Sequence, residues 1–384
     1  MRKNFFLIIL LAIGLIYPSG ICFSGWGATK RITWNSGGSC WPAIAIDSNN
    51  NLHVVWYDYT PSNWEIYYKK STDGGSTWSA AKRLTWTSGS SQEPAIAIDS
   101  NNNLHVVWHD LTPGNVEIYY KRSTDGGSTW GATKRITWNS GLSCDPAIAI
   151  DSNNNLHVVW EDSTAGNSEI YYKRSTDGGS TWDATKRLTW NSGSSRYPAI
   201  AIDPNNNLHV VWHDNIPGNY EIYYKKSTDG GSTWGATKRL TMNSGDSNYP
   251  GIAIDSNNNI HVVWDDLTPG NYEIYYKRST DGGSTWGGSQ RITWNSGSSG
   301  ITAIAIDSNN NLHMVWDDST PSNWEIYYKS SSDGGSTWSA AKRLTWNSGS
   351  SYYPAIAIDS NNNLHMVWQD STPGNSEIYY KKMT

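Results

Sequence analysis

The stretch "EIYYKKSTDGGSTWSAAKRLTW", residues 65–86, sets two apolar-rich runs on either side of a turn-forming centre. Glu65–Ser71 and Lys82–Trp86 are rich in Ile, Tyr, Leu, Thr and Trp, the composition of β-strands. Thr72-Asp73-Gly74-Gly75-Ser76 between them is turn chemistry. Two strands joined by a tight connection are predicted. The weight of this stretch comes from its recurrence, because nearly the same text returns at a step of 52 residues.

Two markers fix the period. Aspartates fall at Asp47, Asp99, Asp151, Asp203, Asp255, Asp307 and Asp359, and histidines at His53, His105, His157, His209, His261, His313 and His365. Each unit adds two more strand-like runs, such as "PAIAID" (Pro42–Asp47) and "NLHVVWYD" (Asn51–Asp58), bounded by "SNNN" and "TPSN". No segment carries a sustained helical period with caps. A four-stranded repeat of about 40–50 residues is the signature of a β-propeller blade. The strands are named A (inner) to D (outer).

The two ends fit this plan. "SEIYYKKMT" (Ser376–Thr384) stops one residue short of the turn aspartate, so the last unit has strands A, B and C but no D. "GWGATKRITW" (Gly25–Trp34) is the tail of a unit with its strand D. Pairing Lys30–Trp34 against Glu377–Lys382 completes one blade, closes the ring and removes the exposed edges of an open stack. Strand D then begins at Lys30, Lys82, Lys134, Lys186, Lys238, Gln290 and Lys342, which predicts seven blades in one all-β domain, residues 25–384.

Residues 1–24 are expected to be a secretory signal peptide. Arg2 and Lys3 precede an apolar run from Phe5 to Ile16 that is short for a bilayer span, and small residues follow. Lipid attachment at Cys22 is the alternative, and stable membrane insertion after cleavage is not expected. Losing Arg2 and Lys3 shifts the formal net charge from −5 to −7, which argues against a nucleic-acid partner. No CxxC or His/Cys zinc spacing is present, so neither a metal nor another cofactor is called for. Cys40 and Cys144 are repeat-equivalent and two blades apart, about 12 Å across the mouth, beyond the roughly 7 Å a disulfide spans.

"STDGGSTW" resembles the Asp-box (BNR repeat) of sialidase-like β-propellers. The match lies at Ser71, Asp73, Gly75, Thr77 and Trp78 and recurs around Asp125, Asp177, Asp229, Asp281 and Asp333. The resemblance implies a propeller whose boxes sit in the C–D turns, away from the catalytic face. In such a turn the aspartate should accept backbone N–H groups, the glycines take positive φ and the tryptophan pack inward. For sialidases the resemblance further implies three arginines on the central face, an aspartate acid/base and a tyrosine nucleophile assisted by a glutamate. The arginines do not fit that pattern. Arg31, Arg83, Arg135, Arg187, Arg239, Arg291 and Arg343 are equivalent copies on strand D, Arg122, Arg174 and Arg278 share one site on strand C, and Arg196 alone is unique.

The seven units also compare with one another. The A–B turn "DSNNN" and the C–D box scarcely vary. Variation gathers just before strand A (Cys40-Trp41, Gln92-Glu93, Cys144-Asp145, Arg196-Tyr197, Asn248-Tyr249, Gly300-Ile301, Tyr352-Tyr353) and at the end of strand B (Tyr57, His109, Glu161, His213, Asp265, Asp317, Gln369). A third variable position lies in the B–C loop, at Trp64, Val116, Ser168, Tyr220, Tyr272, Trp324 and Ser376. Because strands alternate in direction, all three positions share one face, with the constant turns on the other.

A rigid scaffold with varied loops on one face is how binding sites are commonly built. The candidate ligand-binding residues are Trp41, Tyr57, Trp64, Arg196, Tyr197, Tyr220, Tyr249, Tyr272, Trp324, Tyr352 and Tyr353. Aromatic rings with interspersed polar groups suit sugars or an extracellular protein. The expected function is a secreted, monomeric, non-catalytic propeller binding through this face. The alternative is a glycoside hydrolase using Glu161 with Asp145 or Glu93, and Arg196, since such enzymes need two carboxylates about 5–9.5 Å apart. The repeated histidines are expected to pack between blades. "DSNNN" is expected to form Asx-type turns.

Overall fold

The computed structural model describes residues 25–384 apart from Pro61, Pro113, Pro217 and Pro321. The expected signal peptide and Cys22 lie outside the described residues. The chain forms seven four-stranded antiparallel sheets with no helix among the described residues. In the first blade strand A is Ser39–Ile46, B is Leu52–Asp58, C is Glu65–Ser71 and D is Lys82–Arg83. The A strands of neighbouring blades lie against one another, including the A strands of the first and last blades, so the ring is closed.

Closure occurs at the two ends of the chain, as the sequence predicts. Lys30 and Arg31 pair with Tyr380 and Tyr379, and Trp26 bridges Met383. Ile32 N–H donates to the Ile378 carbonyl at 2.8 Å. Ile32 is then buried with Val367, Ile378 and Tyr380 of its own blade and Leu52, Val54 and Trp56 of the next. This cluster has the same make-up as the other six blade interfaces, such as Ile66, Tyr68 and Leu84 against Leu104, Val106 and Trp108. Strand B is covered on both sides by neighbouring blades. That is why "LHVVW" runs apolar without alternation, and why Trp56, Trp108, Trp160, Trp212, Trp264, Trp316 and Trp368 are buried.

Strands A and D differ from the expected boundaries. Strand D is two residues long rather than five. Its ladder ends in a side chain, since Ile66 N–H donates to Thr85 Oγ1 at 2.8 Å while Leu84 N–H donates to the Ile66 carbonyl. Strand A begins earlier than expected, at Ser39. The variable pairs sit inside it at a β-bulge, where Cys40 faces Tyr57 but Ala43 already faces Val55.

The constant turns lock each blade to the next. Asp73 accepts Thr77 N–H at 2.8 Å and Thr77 Oγ1–H at 2.6 Å, and these bonds, the side-chain one first, hold its carboxyl at about 2. Gly75 has φ +85, and a Cβ there would lie 2.2 Å from the Tyr380 hydroxyl of the neighbouring blade, so only glycine fits. Trp78 packs edge-on against the same Tyr380. The Asx turn is present, Asn49 N–H donating to Asp47 Oδ1 at 2.9 Å, and the turn also reaches sideways, Asn102 Nδ2 donating to Ser48 Oγ at 2.8 Å. His53 is fully buried, and its ring nitrogens are satisfied within its own blade, Nδ1 2.8 Å from Tyr68 Oη and Nε2 3.3 Å from Asp47 Oδ2. Tyr68 Oη carries the link onward to the Gly126 carbonyl of the next blade, at 3.3 Å.

Candidate functional site at the central mouth

The bulge in strand A builds the site. Its middle residue is left-handed in six blades: Trp41, Glu93, Asp145, Tyr197, Tyr249 and Tyr353 have φ between 48° and 53°. A left-handed backbone costs an L-residue about 1–2 kcal/mol, and such strain collects at functional sites. In the sixth blade Gly300-Ile301-Thr302 replaces the pattern, and Ile301 is not left-handed. These residues line a cavity of about 290 Å³ at the mouth, bounded by Trp41, Glu93, Asp145, Tyr197, Tyr249 and Ile301 and the residues that follow them.

The variable residue at the end of strand B supports the bulge of the next blade. Gln369 Oε1 accepts Trp41 N–H at 3.1 Å, Glu161 Oε2 accepts Tyr197 N–H at 3.4 Å, and Asp317 Oδ2 accepts Tyr353 N–H at 3.2 Å. His213 Nδ1 accepts Tyr249 N–H at 3.2 Å, which makes it the neutral Nε2–H tautomer. Burial holds His213 at about 3, in keeping with that role.

Around the mouth the candidate aromatics form two arcs. The first runs Trp64, Tyr57, Trp41, Tyr353, Tyr352, Trp324, with successive ring centroids 4.4–6.1 Å apart, and crosses the junction of the two ends of the chain. The second links Tyr220, His213, Tyr197 and Tyr249, with Tyr197 and Tyr249 only 4.6 Å apart. Tyr272 joins neither arc, although Asp265 near it raises its hydroxyl's pKa after burial does. Arg196 is exposed beside the second arc, close enough for its charge to act on Glu161 and His213.

Between the arcs, on the second and third blades, the candidate carboxylates come together. Asp145 is close enough to Glu93 and to Glu161 for each carboxyl to act on its titration. Burial, then the interaction with Glu93, pushes Asp145 well above the usual carboxylate range. Burial, then the Asp145 charge, lifts Glu161 to about 7. Glu93 is also raised by burial. His109 Nδ1 lies 3.4 Å from Glu93 Oε2, an ion-pair distance without an aligned hydrogen bond, and burial keeps the imidazole neutral. All three carboxyls of the cluster are thus shifted toward their protonated forms.

Two further buried acids stand at the ends of the B strands here, Asp265 in the fifth blade and Asp317 in the sixth, where it pairs with Gly300; a Cβ at Gly300 would lie 3.2 Å from Asp317 Oδ1, a tight contact. Burial lifts Asp317 to about 7 and Asp265 well above the usual range. Cys40 and Cys144 are both free thiols. No group of three or more His, Cys, Asp or Glu side chains among the described residues is arranged to hold a metal ion.

Residues 23–262 match the family model of the BNR repeat-like domain. The chain belongs to the BNR repeat-like family. This BNR propeller is 27% identical over 278 residues to xyloglucanase Xgh74A of Acetivibrio thermocellus, a match covering 64% of the chain and 32% of the enzyme. It thus spans about a third of the length of that relative. Among solved structures, the BNR propeller resembles a PL25 ulvan lyase bound to -[GlcA(1-4)Rha3S]-, with TM-score 0.67, 12% identity and coverage of 91% and 95% of the two chains. It also resembles the Hadza microbial sialidase Hz136, with TM-score 0.54, 15% identity and coverage of 83% and 73%. These structural likenesses are likenesses of fold.

Proposed function

We propose that the central mouth binds a glycan, and that the protein is a secreted, monomeric recognition module rather than a hydrolase. The observation that carries this is the flanking of one small cavity by two aromatic arcs, with carboxyls and Arg196 between and beside them. Sugar C–H faces stack on such rings, and hydroxyls bond to the polar groups. At about 290 Å³ the cavity suits a short terminal segment of a glycan. Relatives named for xyloglucan, ulvan and sialic acid chemistry support carbohydrate as the ligand class. Export is supported by the signal-like pattern of residues 1–24. A monomer is supported by outer strands only two residues long, which offer no extended edge for pairing.

Hydrolysis is the second reading, favoured by a carboxyl at about 7 in Glu161. Crowding of the carboxyls weighs against it: Asp145 is close enough to both Glu93 and Glu161 to act on their titration, whereas the two carboxyls of a glycosidase stand about 5–9.5 Å apart with the glycosidic bond between them. A glycan array with residues 25–384, repeated with Tyr197→Ala and Tyr353→Ala, tests the proposal. Binding should fall at least tenfold in each variant at unchanged melting temperature. No glycan bound, or turnover of a fluorogenic glycoside that Glu161→Gln abolishes, would overturn it.

A further inference from the structure

Six tryptophans lie where the core does not use them. Trp34, Trp86, Trp138, Trp190, Trp294 and Trp346 follow strand D of six blades, each 66% or 67% exposed, and Met242 stands at the seventh position. Exposed large aromatics at one repeated place are informative in a way that scattered ones are not. A nearby exposed position drifts freely among the blades, as Ser79, Gly131, Asp183, Gly235, Gly287 and Ser339, while the tryptophan is kept in six of seven.

Each indole is furnished with cations in the same way. An arginine of its own strand D lies with Cζ 5.6–5.9 Å from the ring centroid. A lysine from strand C of the next blade puts Nζ 5.4–5.8 Å from it. The arginine is neutralised by a buried glutamate, as Arg187 by Glu169 at 2.7 Å. The lysine is not: Lys225 Nζ donates to the Leu188 carbonyl at 2.6 Å, and no lysine among the described residues lies within ion-pair distance of a carboxylate. At Trp190 the arrangement bounds a groove of about 360 Å³ lined by Lys186, Arg187, Trp190, Lys225, Thr233 and Trp234.

We propose that the six rim tryptophans with their arginines and lysines are equivalent subsites for an anionic polysaccharide, each stacking one sugar ring on its tryptophan and placing a carboxylate or sulfate against the lysines. The proposal is independent of the mouth. Isolated platforms one blade apart do not make the contiguous surface of about 800 Å² per partner that a stable protein interface needs. A repeating chain can instead occupy several platforms at once, and its avidity grows with their number. The local charge is positive, in contrast to the acidic mouth, and selects an anionic ligand.

The test uses residues 25–384 with polygalacturonate (carboxylate), dextran sulfate (sulfate) and unmodified dextran (neutral), followed by calorimetry and tryptophan fluorescence. The protein should bind one or both anionic polymers, more weakly in 0.5 M salt, and should not bind dextran. The variant combining Trp86→Ala, Trp190→Ala and Trp346→Ala should halve the stoichiometry for short acidic oligosaccharides. Its affinity for the long polymer should fall at least tenfold. Tyr197→Ala should leave rim stoichiometry unchanged, which separates failure at the rim from failure at the mouth. Dextran bound as tightly as the anionic polymers, or stoichiometry unmoved in the triple variant, would overturn the proposal. So would a triple variant that changes the sedimentation of the protein alone, which would mark the indoles as a self-association surface. Circular dichroism and melting temperature verify that the variant is folded, and Trp→Tyr at the same three sites should restore binding.

Discussion

Asp317→Asn isolates one buried acid of the mouth, and its effect can be worked out. The Asp317 side chain is 2% exposed and accepts the N–H of Tyr353, which holds the bulge of the seventh blade. Burial, opposed by that bond and assisted by the Asp318 charge, lifts its carboxyl from 3.8 to about 7. A carboxyl whose folded pKa is raised holds its proton more tightly in the folded protein. Its stabilising contribution is complete below 3.8 and is lost as pH rises through about 7. Three units at 1.36 kcal/mol each make the loss about 4 kcal/mol at most. Asparagine is neutral throughout and keeps a carbonyl oxygen for Tyr353 N–H, so the variant should gain on wild type by a few kcal/mol between pH 4 and 8. The wild-type profile alone is not diagnostic, because the buried histidines act in the opposite direction. His209 and His261, for example, are held by burial at about 4, so the unfolded chain takes their protons first as pH falls below 6.5 and the fold is weakened. Only the difference between variant and wild type isolates Asp317. Urea denaturation at half-unit pH steps, with a constant m-value, measures it. A flat difference profile from pH 4 to 8, or one in which the variant loses ground as pH rises, would refute the assignment.

Three other outcomes follow from the scaffold. Gly231→Ala puts a Cβ 2.0 Å from the Tyr172 hydroxyl at a residue with φ +81, so it should cost about 2 kcal/mol or more and lower the melting temperature, read by calorimetry. Arg187→Ala strips the guanidinium from Glu169, whose side chain is fully buried, and should cost about 3 kcal/mol in urea denaturation, much more than an exposed ion pair would. Removing residues 25–34 deletes the outer strand of the last blade and uncovers Ile378 and Tyr380; the truncated chain should lose cooperative unfolding or melt far lower, while a truncation that melts like the intact protein would mean that ring closure contributes little.

The ring was legible because its evidence is arithmetic. A period of 52, a strand D without its blade at the start and a blade without its strand D at the end point to one way of completing the seventh unit, and Lys30 lies opposite Tyr380 within the predicted pairing. The constant turns were legible as turns but not as links between blades, because the reach of Asn102 to Ser48 depends on how closely neighbouring blades approach. The mouth was legible as a set of residues and not as a geometry. Trp41 and its counterparts look like loop residues since most stand before a proline, which favours extended backbone; only the paired strand shows that they are the left-handed centre of a bulge. The order of the arcs was hidden for another reason, that Trp41 and Tyr353, more than 300 residues apart, become neighbours only when the first and last blades meet.

The rim tryptophans were overlooked because "KRLTW" alternates like a strand to its last residue, which assigns Trp86 to the sheet. The Thr85 hydroxyl ends the ladder one residue early and frees the indole. That one hydroxyl, repeated around the ring at Thr33, Thr137, Thr189, Thr241, Thr293 and Thr345, turns the last residue of each strand from a packing element into an exposed platform. On the two proposals made above, the blade carries two recognition chemistries at opposite ends of one sheet. The inner strand supplies residues that differ from blade to blade and converge on one cavity, which suits a single defined ligand end. The outer strand supplies residues that are the same from blade to blade and diverge, which suits a repeating chain. A ligand offering both, a charged polymer with a distinct terminus, would engage the two surfaces together, and the ratio of its affinity to that of its terminal oligosaccharide alone would measure what the rim contributes.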